Sequence, residues 1–330
     1  MGPRVRSYIR SCVRRSNSGV LRKDTGSRRA ATSATCWGRV FVRGLGVVCV
    51  FFAVARAHAD TIFAANYYSN SIVEFNSSGA SLTFASGLNE PTAMAIDGNG
   101  DLFVGDSGDG TIWKITPSGT MSLFDPSGGN VGGMACDSSG NLYVSAFGNY
   151  GGNNGVIVKF TPSGSPSVFA TGLSDPMGLA FDSQGNLYVA NHNNNAIEKF
   201  GTNGVGSVFV SSGLNQPSGL AIDGSGNVYV TDIGVIDKFD PSGTNESVYF
   251  GGGEPQALAF DSGGNLFASY IGFDPMILEF DTGGSPSLFA SGLDVSAIVA
   301  EVPEPGTWGL VVLGCGVFLI ASRLRRCWTS

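Results

Sequence analysis

The chain has 330 residues and a formal net charge of −7, but the charge is unevenly placed. Residues 60–301 carry four lysines, no arginine and 24 carboxylates, a formal charge of −20; this repels phosphate backbones and excludes nucleic acid as a partner, while cations, sugars and basic proteins stay open. Of six cysteines only Cys136 lies in that stretch, so no internal disulfide framework holds it and its stability must come from a large core.

The basic residues collect at the N-terminus. Residues 1–43 hold 11 of the 19 Lys and Arg, against Asp24 alone. Then runs "VFVRGLGVVCVFFAVARAHA", basic at its start, apolar in its middle and ending in Ala57-His58-Ala59, a small-x-small cleavage pattern. Residues 1–59 thus read as a basic leader plus a secretory signal peptide cut before Asp60. A translation start downstream of Met1 would account for the unusual length of the leader.

Residues 60–301 are built on a repeat. "AIDGNGDLFVGD" begins at Ala95, "ACDSSGNLYVSA" at Ala135, "AFDSQGNLYVAN" at Ala180, "AIDGSGNVYVTD" at Ala221 and "AFDSGGNLFASY" at Ala259. Each unit holds short apolar runs bounded by Gly, Asn, Asp, Ser and Pro, and in "AIEKF" Ile197 and Lys199 alternate with Glu198 and Phe200, which is the period of a strand. Four strands in a unit of about 40 residues make a propeller blade. A sixth second strand, "TIFAAN", begins at Thr61 without a first strand before it, and "GLDVSAIVAE", Gly292 to Glu301, aligns with "GLSDPMGLAF" at Gly172. The expected fold is therefore all-β: a six-bladed β-propeller of four-stranded blades, closed by the C-terminal strand completing the N-terminal blade, with no open sheet edge in the ring. Phe84, Phe124, Phe169, Phe209, Tyr249 and Phe289 mark the fourth strands and should pack between blades.

"YVANHNNNAIEKF" and "ANYYSNSIVEF" resemble the NHL repeat, in which an aromatic-Val-Ala-Asp strand is followed by a polar loop and a strand with Ile and Phe. The resemblance covers about 240 residues; it implies the propeller and leaves the function open.

Past the propeller, "VPEPGTWGLVVLGCGVFLIASRLRRC" places Pro303-Glu304-Pro305 before an apolar stretch from Trp308 to Ala321, then Arg323, Arg325 and Arg326. A tryptophan at one end and arginines at the other fit a short membrane helix with a positive-inside stop. Residues 302–330 resemble the PEP-CTERM sorting domain of Gram-negative bacteria. That resemblance implies export, transient anchoring in the inner membrane and recognition by an exosortase near Pro303, Glu304 and Pro305, with Arg325 and Arg326 in the basic cluster of the signal. The location expected is the cell envelope or the extracellular matrix.

In a meander the first-to-second and third-to-fourth turns share one face. There the "DSQGN" and "TPSGS" turns recur nearly unchanged, and Asp97, Asp137, Asp182, Asp223 and Asp261 should do local turn chemistry. The other face varies, and variable loops on a rigid scaffold are where binding resides. Its second strands end at Asn66, Asp106, Ala146, Asn191, Asp232 and Tyr270, and its first strands start at Thr92, Gly132, Met177, Ser218 and Gln256. Tyr67, Tyr68, Asp109, Phe147, Tyr150 and His192 lie nearby, and Phe147–Gly155 makes the third blade the longest. The candidate binding residues are Asn66, Asp106, Asn191, His192, Asp232, Tyr270 and Gln256.

Two enzyme groups share these motifs. The gluconolactonase group implies a divalent metal held over the channel by carboxylates and amides at the first-strand starts, where this chain has none of Asp, Glu or Asn. The streptogramin lyases, with repeats like "PxGLAxDxxGNxYV", imply a histidine base with Mg²⁺; His192 is the single histidine after the leader, and its neighbours are asparagines, which marks a solvated loop. The function expected is thus an exported binding scaffold, with a metal-dependent lactonase or lyase as the alternative. No cofactor is expected beyond weak Ca²⁺ or Mg²⁺ binding in an acidic funnel around Asp106 and Asp232. A polysaccharide or a surface protein is the partner expected of a monomeric chain.

Overall fold

The computed structural model describes residues 61–301 apart from 127–128, 149–151, 245 and 273. The leader, the signal peptide, Tyr150, Pro303, Glu304, Pro305, Arg325 and Arg326 lie outside the described residues. The described backbone forms 24 strands and one turn of 3₁₀ helix, His192–Asn194. The strands gather into six four-stranded antiparallel sheets, the blades of a β-propeller.

Blade four shows how sequence makes a blade. Its strands are Pro176–Phe181, Leu187–Asn191, Ala196–Phe200 and Gly206–Val210, from the axis outward. The second strand, "LYVAN", is buried at every residue, because neighbouring blades cover both of its faces. In the fourth strand only Val210 is fully buried. Apolar residues on both faces inside and on one face outside are what a radial stack of sheets requires.

Blade one closes the ring as expected. The last strand, Val295–Glu301, pairs antiparallel with Thr61–Asn66, placing Glu301 opposite Thr61 and Ala300 opposite Ile62. Ser71–Phe75 and Ser81–Ser86 complete the blade. The innermost strands of the six blades pack against one another in chain order around a closed ring, the last against that of blade two. Thr61 and Glu301 thus leave the ring side by side, on the face that carries the repeated turns.

The core is a set of layers between blades. A second-strand aromatic meets a fourth-strand aromatic inside each blade, as Tyr143 meets Phe169 at 5.0 Å and Phe267 meets Phe289 at 4.9 Å. The fourth-strand ring also reaches the next blade: Phe124 lies 5.7 Å from Phe160, and Phe289 lies 5.4 Å from Phe75 across the closing seam. The packing role expected of these rings holds, within blades as well as between them. At glycines of the innermost strands the neighbouring blades approach too closely for a side chain. A β-carbon on Gly178 would overlap the Ser218 carbonyl, which instead accepts the Gly178 N–H at 2.8 Å.

The four lysines occupy one structural position. Lys114, Lys159, Lys199 and Lys238 lie on the third strands of blades two to five, each over the second-strand ring opposite it: Phe103, Tyr143, Tyr188 and Tyr229, at 4.7–5.2 Å. Three of them also reach a carboxylate, Asp101, Asp137 or Asp182. Every lysine of the described residues is therefore held by the fold, leaving the surface field to the carboxylates.

Candidate functional site

The repeated turns are local structures. In blade four the Asp182 carboxylate accepts the N–H groups of Gln184 and Asn186 at 3.0 and 2.8 Å, and the Asn186 amide reaches its other oxygen at 2.7 Å. Asp97, Asp137, Asp223 and Asp261 close their turns in the same way. Burial works against the charge of Asp182, but Asn186 and Lys199 outweigh it and hold the carboxyl below its usual range.

On the opposite face, the second-strand ends are buried anchors. Asp106 Oδ1 accepts the Asn89 N–H at 2.6 Å, Asn191 Oδ1 the Ser174 N–H at 2.7 Å, and both oxygens of Asp232 the Asn215 N–H at 2.8 and 2.9 Å. Each bond spans 17 residues and fastens the incoming fourth-to-first loop to its blade. Asn66 is also buried, with Oδ1 3.4 Å from the Ser69 nitrogen. Burial holds the Asp106 carboxyl above the usual range, opposed by the Asn89 N–H and reinforced by Asp109. These side chains are engaged blade by blade, and none of them lines the axial cavity.

The expectation of a solvated His192 is corrected. The ring is half-buried, and Nδ1 lies 3.1 Å from the Pro217 carbonyl of blade five. Two more groups of the same loop fix it in place: the His192 N–H donates to the Asp175 carbonyl, and Asn195 Oδ1 accepts the Gln216 N–H at 2.8 Å. Asn195 reaches that N–H from the left-handed region, φ 52°, which asparagine tolerates. "NHNNN" therefore clasps blade four to blade five. Blades one and two share part of the device, where Asn70, φ 53°, accepts the Glu90 N–H at 2.9 Å.

The axis holds a cavity of about 710 Å³ walled by the six innermost strands. Thr92, Gly132, Met177, Ser218 and Gln256 line it at the loop face, as the repeat predicts, joined by Ser296 from the closing strand and by Ser107. Ile96, Cys136, Ile222, Phe260 and Ala300 line it toward the turn face. Burial and nearby Asp97 and Asp137 push the Cys136 thiol far above its ordinary value, so it stays protonated. Behind the wall, second-strand hydroxyls tie the blades together: Ser145 Oγ donates to the Met177 carbonyl at 2.6 Å, and Thr231 Oγ1 to that of Gln256 at 3.2 Å. The wall offers hydroxyls, the amides of Asn130 and Gln256, methionine thioethers and the Cys136 thiol but no carboxylate or imidazole, which does not fit a Ca²⁺ or Mg²⁺ cage. Among the described residues no three His, Cys, Asp or Glu side chains come together as a metal-holding group.

Tyr270 is buried and outside the cavity wall; its ring packs on Gly253, and its hydroxyl has no partner among the described residues. Burial raises its pKa well above the ordinary phenol value. Gln256 contributes its carbonyl to Thr231 and lines the rim. Sequence reasoning did not single out the rim serines Ser107 and Ser296; the alignment of "GLDVSAIVAE" with the other first strands already carried the signal for Ser296.

Residues 173–200 match the NHL repeat. A search among curated proteins gives no match. Among solved structures, the chain is similar to one determined in a nidogen/laminin complex, with a TM-score of 0.62 and 18% identity over 74% of this chain and 99% of that one. It is similar to a gluconolactonase from Xanthomonas campestris, with a TM-score of 0.55 and 18% identity over 64% and 79%. It is also similar to the virginiamycin B lyase from Staphylococcus aureus, with a TM-score of 0.54 and 17% identity over 69% and 80%. Fold is what these identities share, and it is the six-bladed propeller with one matched NHL repeat.

Proposed function

We propose that the chain is an exported propeller that acts as a binding scaffold at the cell envelope or in the extracellular matrix, delivered by an exosortase-type system that reads Pro303, Glu304 and Pro305. The observation that carries the binding role is the rim of the axial cavity: Thr92, Gly132, Met177, Ser218, Gln256 and Ser296 supply neither a general base nor a carboxylate for a metal. His192, the alternative base, is turned to the Pro217 carbonyl and clasps two blades. The similar structures include a protein solved in complex with laminin as well as two enzymes, so the fold accommodates binding and catalysis alike.

Placement of the chain ends favours display. Glu301 leaves on the face of the repeated turns, so a tether beyond it leaves the variable loops pointing away from the membrane. Among the described residues no helix is long and apolar enough to cross a membrane.

The test is a turnover screen with lactones and a streptogramin at millimolar Mg²⁺ and Ca²⁺, run beside a calorimetric ion titration. The scaffold reading expects no turnover and only weak ion binding, with a small rise in Tm through mass action. Turnover abolished by His192→Ala or Asp106→Ala, or one tightly bound ion, would establish the metal-dependent enzyme instead. For delivery, mass spectrometry of exported protein should find the tail beyond Pro305 removed or retained in membranes; soluble protein with Arg325 and Arg326 intact would refute sorting.

A further inference from the structure

We infer that the loop face of blades one and two is a glycan platform built on Tyr68, Tyr67 and Glu90, taking an uncharged polysaccharide; this rests on the scaffold reading and names its ligand class. Tyr68 is 76% exposed, and it is the sole aromatic among the large hydrophobic side chains exposed on the described residues. Its ring is not loose. Tyr67 and Tyr68 meet edge to face, with centroids 5.1 Å apart and planes at 89°, and most of Tyr68 stays open to solvent. Tyr67 is held through its N–H, which donates to the Asp294 carbonyl at 3.0 Å, and the Glu90 carboxylate near its phenol raises its pKa.

The polar partners are held as firmly. The Glu90 N–H donates to Asn70 Oδ1 at 2.9 Å, and the Glu90 carbonyl accepts the Ser107 hydroxyl at 2.7 Å. Asn89 Nδ2 donates to the exposed Asp109 carboxylate at 2.8 Å. One flat aromatic face with the Glu90 carboxylate near its tyrosine partner matches the two surfaces of a pyranose, an apolar face of C–H groups and an edge of hydroxyl donors. Rigid tyrosines give such contact at low entropic cost.

Charge decides between ligand classes. Every lysine of the described residues is engaged in the fold, so nothing here pairs with the carboxylates of an acidic polymer. A cationic side chain can sit on one ring, as the four lysines of this chain do at 4.7–5.2 Å, so a poly-lysine gel is the arm that separates a cationic partner from a neutral sugar. Ser107 links the platform to the axial cavity, whose neutral rim can continue the same contacts.

The experiment is affinity electrophoresis of the full-length chain in mild detergent through native gels containing hydroxyethyl cellulose, mannan or galactan, with alginate and poly-lysine gels run in parallel. At least one neutral gel should retard the chain, and alginate should not. Tyr68→Ala, an exposed change, should weaken retardation at least about tenfold, as for a central aromatic contact, and Glu90→Gln should weaken it less. Val168→Ser, on the outer strand of blade three, should leave it unchanged. No retardation in any neutral gel, equal retardation by alginate, retention by poly-lysine alone, or full binding by Tyr68→Ala overturns the platform. Binding that survives Tyr68→Ala leaves the scaffold reading standing; turnover in the metal-supplemented screen removes that reading without touching the platform.

Discussion

Blades four and six are copies of one sequence pattern wired differently. In blade four, buried Asn191 holds the incoming loop through Ser174 and donates to Glu198 Oε1 at 2.6 Å, while Lys199 sits between the Tyr188 hydroxyl at 2.6 Å and Asp182 at 3.2 Å. In blade six, Tyr270 stands at the anchor position and packs its ring on Gly253 in place of a hydrogen bond. Glu279 stands where the lysine would be, opposite Phe267, and burial together with Asp261 and Asp281 holds its carboxyl above the usual range. The difference teaches that a repeat conserves positions in the ring and not the interactions made there. Blade six borders the closing strand, so the least-wired blade lies at the seam.

The largest effect should come at that seam. Deleting Gly292 to Glu301 removes the strand that pairs with Thr61–Asn66 and packs on blade six. The truncated propeller should lose its cooperative thermal transition in scanning calorimetry. Melting like the intact chain would show that the ring does not depend on closure.

Next comes Asn191→Ala, which strands the Ser174 N–H and the Glu198 contact in a fully buried place. A cost of about 2–3 kcal/mol is expected for such a loss, read from urea unfolding. Tyr270→Ala in blade six creates a cavity instead, so restoring a small amide there should rescue nothing. A cost for Asn191→Ala below about 0.5 kcal/mol would show that the anchor is incidental.

These anchors mark where sequence reading stopped. Blade number, closure, the turn aspartates and the five first-strand starts that line the cavity were legible, because each follows from period, alternation and local turn chemistry. The anchors carried a signal too, a fixed spacing of 17 residues between loop and strand end, but an Asp or Asn at a strand end reads equally as ligand and as cap. Asp106 and Asp232 looked free for that reason. What decides it is whether a loop folds back over the carboxylate, and that is long-range geometry. The lysine stations escaped for a related reason: Phe103 to Lys114 and Tyr143 to Lys159 differ in sequence distance, because the intervening loop of blade three is longer.

Lys199→Ala should cost less, about 1 kcal/mol, for one cation–π contact and a partly exposed ion pair. Its pH dependence is specific. Burial lowers the Lys199 pKa, but the Tyr188 and Asp182 bonds outweigh it and the net shift is upward. The stabilisation is therefore fully present below the unfolded pKa of about 10.4 and is lost as pH rises through the folded value. Asp182 is shifted downward, so its share is present above about pH 4 and is lost as pH falls through its folded value. Wild type and variant should converge in Tm at both extremes; a constant gap across the whole range would assign the effect to packing alone. Glu279→Lys runs the comparison backwards. It installs the blade-four arrangement over Phe267 between Asp261 and Asp281, and at pH 7 it should raise Tm by about 2–4 °C, the shift that ~1 kcal/mol makes in a domain of this size. The gain should shrink below about pH 4, where the carboxylates protonate; a lower Tm at pH 7 would show that this position rejects a cation.

The smallest effect separates two buried second-strand tyrosines that differ in their place in the repeat and in their partners. Tyr188 and Tyr270 are both buried second-strand residues. The Tyr188 hydroxyl accepts from Lys199, whereas that of Tyr270 has no partner among the described residues. A buried hydroxyl without a hydrogen bond opposes folding, since the unfolded chain offers it water. Tyr270→Phe removes the hydroxyl and keeps the ring on Gly253, so stability should rise by about 0.5–1 kcal/mol. Tyr188→Phe removes an acceptor from a charged donor and should cost a similar amount. Chemical denaturation of the two variants gives opposite signs if blade six lacks the wiring of blade four. Destabilisation by both would mean that the Tyr270 hydroxyl has a partner in the loop that follows it, and that the seam is fastened after all.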